Sequence, residues 1–200
     1  MSRSAAVSTL VVALLVCLAS GQLRGQSAAA PLTLLSREGR RPLPAFAIDG
    51  QDFVALEDLA TAFQLTVREE SGAITVSSRG RTIVLTRDQP LASVSGRLIS
   101  MPAPPARVGN RWFVPIDFIG RVLSTVYDTR LELRRPSRLV IIGDLRVPRV
   151  TVRHEPLGTT ARITVDASPD TPSTIAQEAG RLTIRFEADA LDVVLPQTQP

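Results

Sequence analysis

The sequence predicts an α+β fold: an antiparallel sheet with two short helices in a two-fold internal repeat, then a small all-β segment, a partial sandwich. Three observations carry this. A strand–helix–strand pattern at residues 53–69 recurs at residues 113–128, offset by sixty residues. Between the copies, short apolar runs flank Gly-centred turns, as antiparallel strands do. Beyond Val150, polar and apolar residues alternate with period two, the pattern of strands with one wet face.

Two hundred residues allow one or two domains with a real core. Aromatics make up 4%, so that core is built from Leu, Val, Ile and Ala. All 23 basic residues are Arg. Residues 151–200 carry four Arg against seven acids, a net −3, whereas residues 23–150 carry 18 Arg against 12 acids, a net +6. The change of sign near Val150 marks a domain boundary. The Arg are dispersed, which reads as a solubilised surface; an anionic partner is the alternative.

Met1-Ser2-Arg3 is a short positive start, and Ala5 to Ala19 is an uncharged, mostly apolar run. Ala19-Ser20-Gly21 offers small residues for cleavage, so residues 1–21 read as a secretory signal peptide and the chain as exported, to the periplasm or cell surface. A retained anchor is the alternative, but the run is shorter than the ~20 residues a spanning helix needs. Cys17 is the only Cys and leaves with the signal, so disulfides and thiolate metal sites are excluded from the mature chain. Residues 22–41 read as a disordered leader.

Residues 42–144 form the first domain. Ala45-Phe46-Ala47-Ile48 is a strand, Asp49-Gly50 a turn, and Phe53-Val54-Ala55-Leu56 another strand. Leu56, Leu59, Ala60 and Phe63 then share one helical face, with Glu57 and Asp58 in the first turn, where carboxylates favour the helix N-terminus. Leu65-Thr66-Val67 returns to strand. Two hairpins follow, around Ser78-Arg79-Gly80-Arg81 and Ser95-Gly96-Arg97, and Met101-Pro102-Ala103-Pro104-Pro105 is extended. In the second copy, Trp112-Phe113-Val114 is a strand and Pro115 suits the first helical position. Ile116, Ile119 and Leu123 continue at helical spacing, Thr125-Val126-Tyr127 is a strand, and Leu139-Val140-Ile141-Ile142 ends the unit.

The paired pattern of Asp49-Gly50, Phe53-Val54-Ala55-Leu56 and Val67-Arg68-Glu69, then Gly109, Phe113-Val114-Pro115-Ile116 and Val126-Tyr127-Asp128, resembles the copper amine oxidase N-terminal (stalk) domain family. The resemblance spans roughly residues 42–144. It implies a twisted antiparallel sheet packed on helix, used as an accessory domain in exported and envelope-associated bacterial proteins. Oxidase activity in such proteins belongs to another domain, with three copper-ligating His. This chain has one His, so no copper site is implied.

In residues 145–195, Arg149-Val150-Thr151-Val152-Arg153, Ala161-Arg162-Ile163-Thr164-Val165-Asp166 and Arg181-Leu182-Thr183-Ile184-Arg185-Phe186 alternate as strands, and residues 191–195 add another. Turn formers at residues 156–158 and 167–172 separate them. Thr160-Ala161-Arg162-Ile163-Thr164-Val165 and Gly180-Arg181-Leu182-Thr183-Ile184 resemble the AMIN domain, which precedes the catalytic part of many N-acetylmuramoyl-L-alanine amidases and helps to localise them at the cell wall. Residues 196–200 read as linker, so the expectation is that these 200 residues are the front end of a longer exported protein or a shortened relative of one.

Catalytic chemistry is poorly provided for. His154 is the only His, so a zinc amidase site cannot be assembled from these residues, and His154 itself reads as a surface residue. The neighbours Glu69 and Glu70 point to opposite faces of a strand, a poor acid/base pair. Trp112 reads as core, with an exposed carbohydrate platform as the alternative. No catalytic, cofactor-binding or metal-binding residue is assigned, and no cofactor. Arg130, Arg134, Arg135 and Arg138 cluster around Pro136-Ser137 and form the candidate contact for an anionic ligand such as wall-peptide carboxylates or phosphates. Nucleic acid is excluded for an exported chain without aromatics interleaved among its Arg.

The expectation is a non-catalytic exported envelope module that binds or localises to peptidoglycan or another envelope polymer. One alternative is the targeting region of an N-acetylmuramoyl-L-alanine amidase whose zinc domain lies beyond residue 200. Another is a stalk that binds a protein partner or itself. Export is checked by the mass of the secreted chain, which should begin near Gln22; an intact Met1 would mean that the segment is kept.

Overall fold

The computed structural model describes residues 27–70 and 72–194. The signal peptide 1–21 with Cys17, leader residues 22–26 and the tail 196–200 lie outside the described residues.

Strands β1 (Ser27–Ser36), β2 (Gly39–Ile48) and β3 (Gln51–Ala55) run antiparallel in sequence, and β3 leads directly into helix α1 (Leu56–Phe63). Leu56, Leu59 and Phe63 bury one face of α1. Glu57 and Asp58 lie in its first turn, and Gln64 ends it in the left-handed region, φ 55°. A five-stranded antiparallel meander follows: β4 (Thr66–Glu70), β5 (Ala73–Ser78), β6 (Arg81–Thr86), β7 (Leu91–Val94) and β8 (Arg97–Ser100). Short β9 (Ala106–Val108) then pairs with β10 (Arg111–Pro115). Helix α2 follows as a π-helical turn (Ile119–Leu123) running into α-helical Ser124–Val126. Hairpin β11 (Leu131–Arg134) and β12 (Leu139–Ile142) returns to the first sheet, whose order is β11-β12-β1-β2-β3-β10-β9. The architecture is mostly β, with two helices.

At the middle of that sheet Val54 pairs with Val114, Phe53 with Pro115 and Ala55 with Phe113. Both strands are buried on both faces, so they read as continuous apolar runs. Val54, Trp112 and Val114 face the main core with both helices and the apolar face of the meander, including Ile74, Val76, Ile83 and Leu85. Phe53, Ala55 and Phe113 face a second cluster with Ile48 and Ala106, where Phe46 meets Phe113 edge-on at 5.2 Å. Phe63 meets Tyr127 edge-on at 5.4 Å in the main core.

Three sequence expectations need correction. Residues 27–41 of the leader are not disordered, and the domain begins before residue 42. Strand β1 lies between β2 and β12, with Leu32 fully buried. Leu32 and Leu34 join the main core while Leu35 joins a third cluster with Leu139, Ile141 and Val147. The small residues before Pro31 dominated the composition and masked this pattern. Secondly, the sheet is not wholly antiparallel, since β1 runs parallel to β12, with Leu34 opposite Val140. Thirdly, Thr125-Val126 is helical. Ile119, Val122, Leu123 and Val126 are all buried at helical spacing, and that burial overrides the β-branched propensity. Ser124 Oγ and Thr125 Oγ1 donate to the carbonyls of Gly120 and Val122, holding the turn. Gly120 is needed where α2 meets β11: a Cβ there would lie 3.3 Å from Leu133 Cβ.

The second segment forms two small sheets. One has the order β14-β13-β17, from β13 (Arg149–Leu157), β14 (Thr160–Ser168) and β17 (Asp192–Val194). The other is the hairpin β15 (Ser173–Glu178) and β16 (Arg181–Phe186). Strand β15 carries only Ile175 and Ala176 as apolar residues, too few to show against the turn formers before it. Leu157, Ile163, Ile175 and Leu182 remain exposed.

The placement of β1 gives a direct test. Leu32→Ala should lower the unfolding free energy by about 2–5 kcal/mol, the range for a buried Leu, read by urea denaturation. A negligible change would return residue 32 to a leader.

Candidate functional site

Residues 131–142 form a hairpin because alternating Leu131, Leu133 and the run Leu139-Val140-Ile141 flank a four-residue turn, Arg135-Pro136-Ser137-Arg138. Pro136 favours the turn, and Arg138 adopts φ 52°. The Arg138 N–H donates to the Arg135 carbonyl at 3.1 Å, and the Arg138 carbonyl accepts the Thr33 N–H at 2.8 Å. Strand β1 therefore braces the turn.

The hairpin separates the four candidate arginines. Arg130 is exposed and pairs with Glu132 at 3.4 Å. Arg134 points to the second segment: it donates to Glu132 at 2.8 Å, to the Val147 carbonyl at 2.7 Å and to Asp192 at 3.2 Å. Burial lowers the pKa of Arg134, but hydrogen bonds and charge attraction from Glu132 and Asp192 outweigh it and raise the value overall. Arg134 is thus a fixed cation between the two parts of the chain. The Asp192 side chain is fully buried and also pairs with Arg149 at 3.5 Å.

Arg135 turns the other way, toward a cleft of about 460 Å³ lined by Gly50, Gln51, Asp52, Pro102, Pro115, Ile116, Asp117 and Arg135; Arg138 is not part of that lining but pairs with its Asp52. Arg135 hydrogen-bonds Asp117, and Arg138 hydrogen-bonds Asp52. Asp52 is fixed from below, since its carbonyl accepts the Ile116 N–H at 3.0 Å. Asp117 stands just before α2 and is nearly buried. Nε and Nη2 of Arg138 are buried and have no partner. The volume lies in the range of small-ligand pockets. Its lining carries two carboxylates and one guanidinium, a formal charge of −1, with Arg138 paired to Asp52 from outside the lining, so its chemistry suits a ligand bearing both an acid and an amine rather than a polyanion.

The other singled-out residues fall elsewhere. Trp112 is buried, donates Nε1–H to Glu69 at 2.9 Å, and lies 5.4 Å from the guanidinium carbons of Arg87 and of Arg107. Glu69 also pairs with Arg107 at 3.1 Å, so it serves this stack. His154 is exposed on β13, opposite Ile163. Among the described residues no group of three or more His, Cys, Asp or Glu is placed to hold a metal. Sequence reasoning missed Asp52, Asp117 and Asp192. Asp117 had a signal, its place beside Pro115 at a helix start; Asp192 had none, because its burial arises from the docking of distant strands.

With this geometry in place, the comparison with known families is informative. Residues 39–130 match the family model described as copper amine oxidase N-terminal domain. That family is a non-catalytic stalk domain. The matched stretch contains the meander, the β3–β10 pair and both helices, and it includes Asp52, Asp117 and Arg130 but ends before Arg134, Arg135 and Arg138. No curated protein matches the chain, and no solved structure does.

The junction yields a prediction. Asp192→Ala removes one of the two carboxylates that hold Arg134, leaving it Glu132 and the Val147 carbonyl, and should cost about 1–3 kcal/mol, seen as a lower midpoint in thermal unfolding and faster proteolysis between residues 142 and 149. A wild-type midpoint and digestion pattern would mean that the pair contributes nothing.

Proposed function

We propose that this chain is a non-catalytic, exported cell-envelope module that holds peptidoglycan through its stem peptides at the Asp52–Asp117–Arg135 cleft. The observation that carries the reading is the cleft itself: the carboxylates of Asp52 and Asp117 beside the guanidinium of Arg135, with Asp52 held in turn by Arg138. A wall peptide presents both carboxylate and amine groups, so each has an opposite charge to meet. Teichoic or lipid phosphates offer only negative charge, and Asp52 and Asp117 oppose them. The match to a non-catalytic stalk family supports a positioning role rather than a reaction.

Two finer readings belong with this proposal. The first domain is a two-fold repeat: the strand order β2-β3-β10-β9 has the same pairing from either end, and Val54 faces Val114 across it. Residues 145–195 are AMIN-like, which the paired hairpins β13–β14 and β15–β16 support. Both suit an accessory module.

The test is co-sedimentation with purified peptidoglycan and with glycan stripped of its peptides. The chain should pellet with the first and stay soluble with the second. Failure to pellet with either sinks the proposal. Arg135→Ala should weaken retention about fivefold, the effect of an exposed ion-pair partner, and flatten its dependence on salt. Retention that ignores both the variant and the salt series would place binding elsewhere.

A further inference from the structure

The second segment carries an open sheet edge whose residues complement themselves. We propose that two copies of this chain associate through β16, forming a four-stranded sheet β15-β16-β16-β15 about a two-fold axis at Ile184. This goes beyond the wall-binding role and does not depend on it.

The hydrogen-bonding direction of β16 can be read from its hairpin. Ala179-Gly180 is a two-residue turn with both φ positive, 36° and 79°, so Glu178 and Arg181 exchange backbone hydrogen bonds. Pairing then alternates through Thr183 and Arg185. The Glu187 N–H donates to the Pro172 carbonyl at 2.9 Å, which confirms that phase. Leu182, Ile184 and Phe186 therefore direct their N–H and C=O groups outward, where no strand of the chain pairs with them among the described residues; the Phe186 carbonyl is engaged locally, accepting the Ala188 N–H at 3.0 Å. Such an edge is a template for another strand.

An antiparallel copy centred on Ile184 sets Ile184 against Ile184, Leu182 against Phe186, Arg185 against Thr183 and Arg181 against Glu187. Leu182, Ile184 and Phe186 share one face with Ile175, so the dimer joins two apolar stripes into one. Leu182 and Ile175 are mostly exposed in the single chain, 61% and 68%. On the other face, Arg181 and Glu187 meet twice as a non-hydrogen-bonded pair, the closer of the two cross-strand spacings. Neither side chain has an ion-pair partner among the described residues. The charges are thus free for a second copy.

Two other exposed edges of the second segment fit less well. Strand β15 centred on Ile175 would set Glu178 against Pro172, with no opposite charge. Strand β14 centred on Thr164 would set Arg162 against Asp166, but Arg162 already pairs with Glu155 at 3.9 Å and Asp166 with Arg153 at 2.6 Å. The contact on β16 is isologous, so it closes as a dimer and does not grow into a filament.

The test is sedimentation of the secreted chain over a concentration series. Wild type should show a species of twice the chain mass. Arg181→Glu and Glu187→Arg should each weaken the dimer about tenfold, by turning two attractive pairs repulsive. The double variant Arg181→Glu with Glu187→Arg should return to within about threefold of wild type. Both positions are exposed, and circular dichroism checks that each variant is folded. A wild-type chain that stays monomeric overturns the proposal. So does a dimer indifferent to the single swaps, which would locate the contact elsewhere, or a folded double variant that remains monomeric.

Discussion

The pairing of β3 with β10 is the constraint on which the rest of the first domain depends. Each strand sends alternate side chains into two different cores, so a slip of one residue would exchange Val54 and Val114 with Phe53 and Phe113. Each strand also ends where a helix begins, which fixes α1 and α2 relative to the sheet. The hydrogen bond from the Ile116 N–H to the Asp52 carbonyl ties the exit of β10 to the entry of β3. The cleft is a consequence: Asp52 on β3 and Asp117 just past the end of β10 come together because those strands pair.

The positive charge of the first domain has a structural account. Many of its arginines are committed to carboxylates from other elements. Arg111 on β10 reaches Glu57 and Asp58 at the start of α1. Arg79 and Arg81 from the meander reach Asp128, and Arg81 also donates to the Val126 carbonyl at the end of α2. These pairs put cations near a helix C-terminus and link anions at a helix N-terminus to the sheet, the favourable sense of the helix dipole. Most are exposed and individually weak. Their use is geometric, since a planar guanidinium can bridge two acceptors that lysine would meet only as a point charge.

Much of this was legible in the sequence, and the failures have physical causes. Apolar period and Gly turns placed the meander, α1 and the central strands, because those residues bury or turn locally. Strand β1 was missed because its partners are β2 and the distant β12, and its first residues are small. The helical Ser124–Val126 was missed because β-branched residues favour strands unless tertiary burial decides otherwise. For the site, sequence clustering of Arg130, Arg134, Arg135 and Arg138 was real, but a hairpin turn sends neighbours in different directions. Arg134 went to the junction, Arg135 to the cleft, and Arg138 to Asp52. No period or spacing reveals which carboxylate will meet a given guanidinium across the fold.

The two proposed surfaces share no residue. The cleft is built from residues 50–135, and the β16 edge from residues 181–187. Their physics also differs. The cleft lies beside a closed core, and its charged groups are already held in place, so a ligand meets a preorganised site and little ordering cost is added. The β16 edge belongs to a segment several of whose apolar side chains, Leu182 and Ile175 among them, remain in water, so there the gain comes from burial and backbone pairing. The pair would reinforce one another on a polymer that repeats its peptide. A dimer would bring two weak clefts to one surface, and the second contact would form at an effective concentration set by the linkage, raising avidity by about 10²–10⁴ without a new contact. A module of this kind needs no tight single site. It needs a rigid one, presented twice.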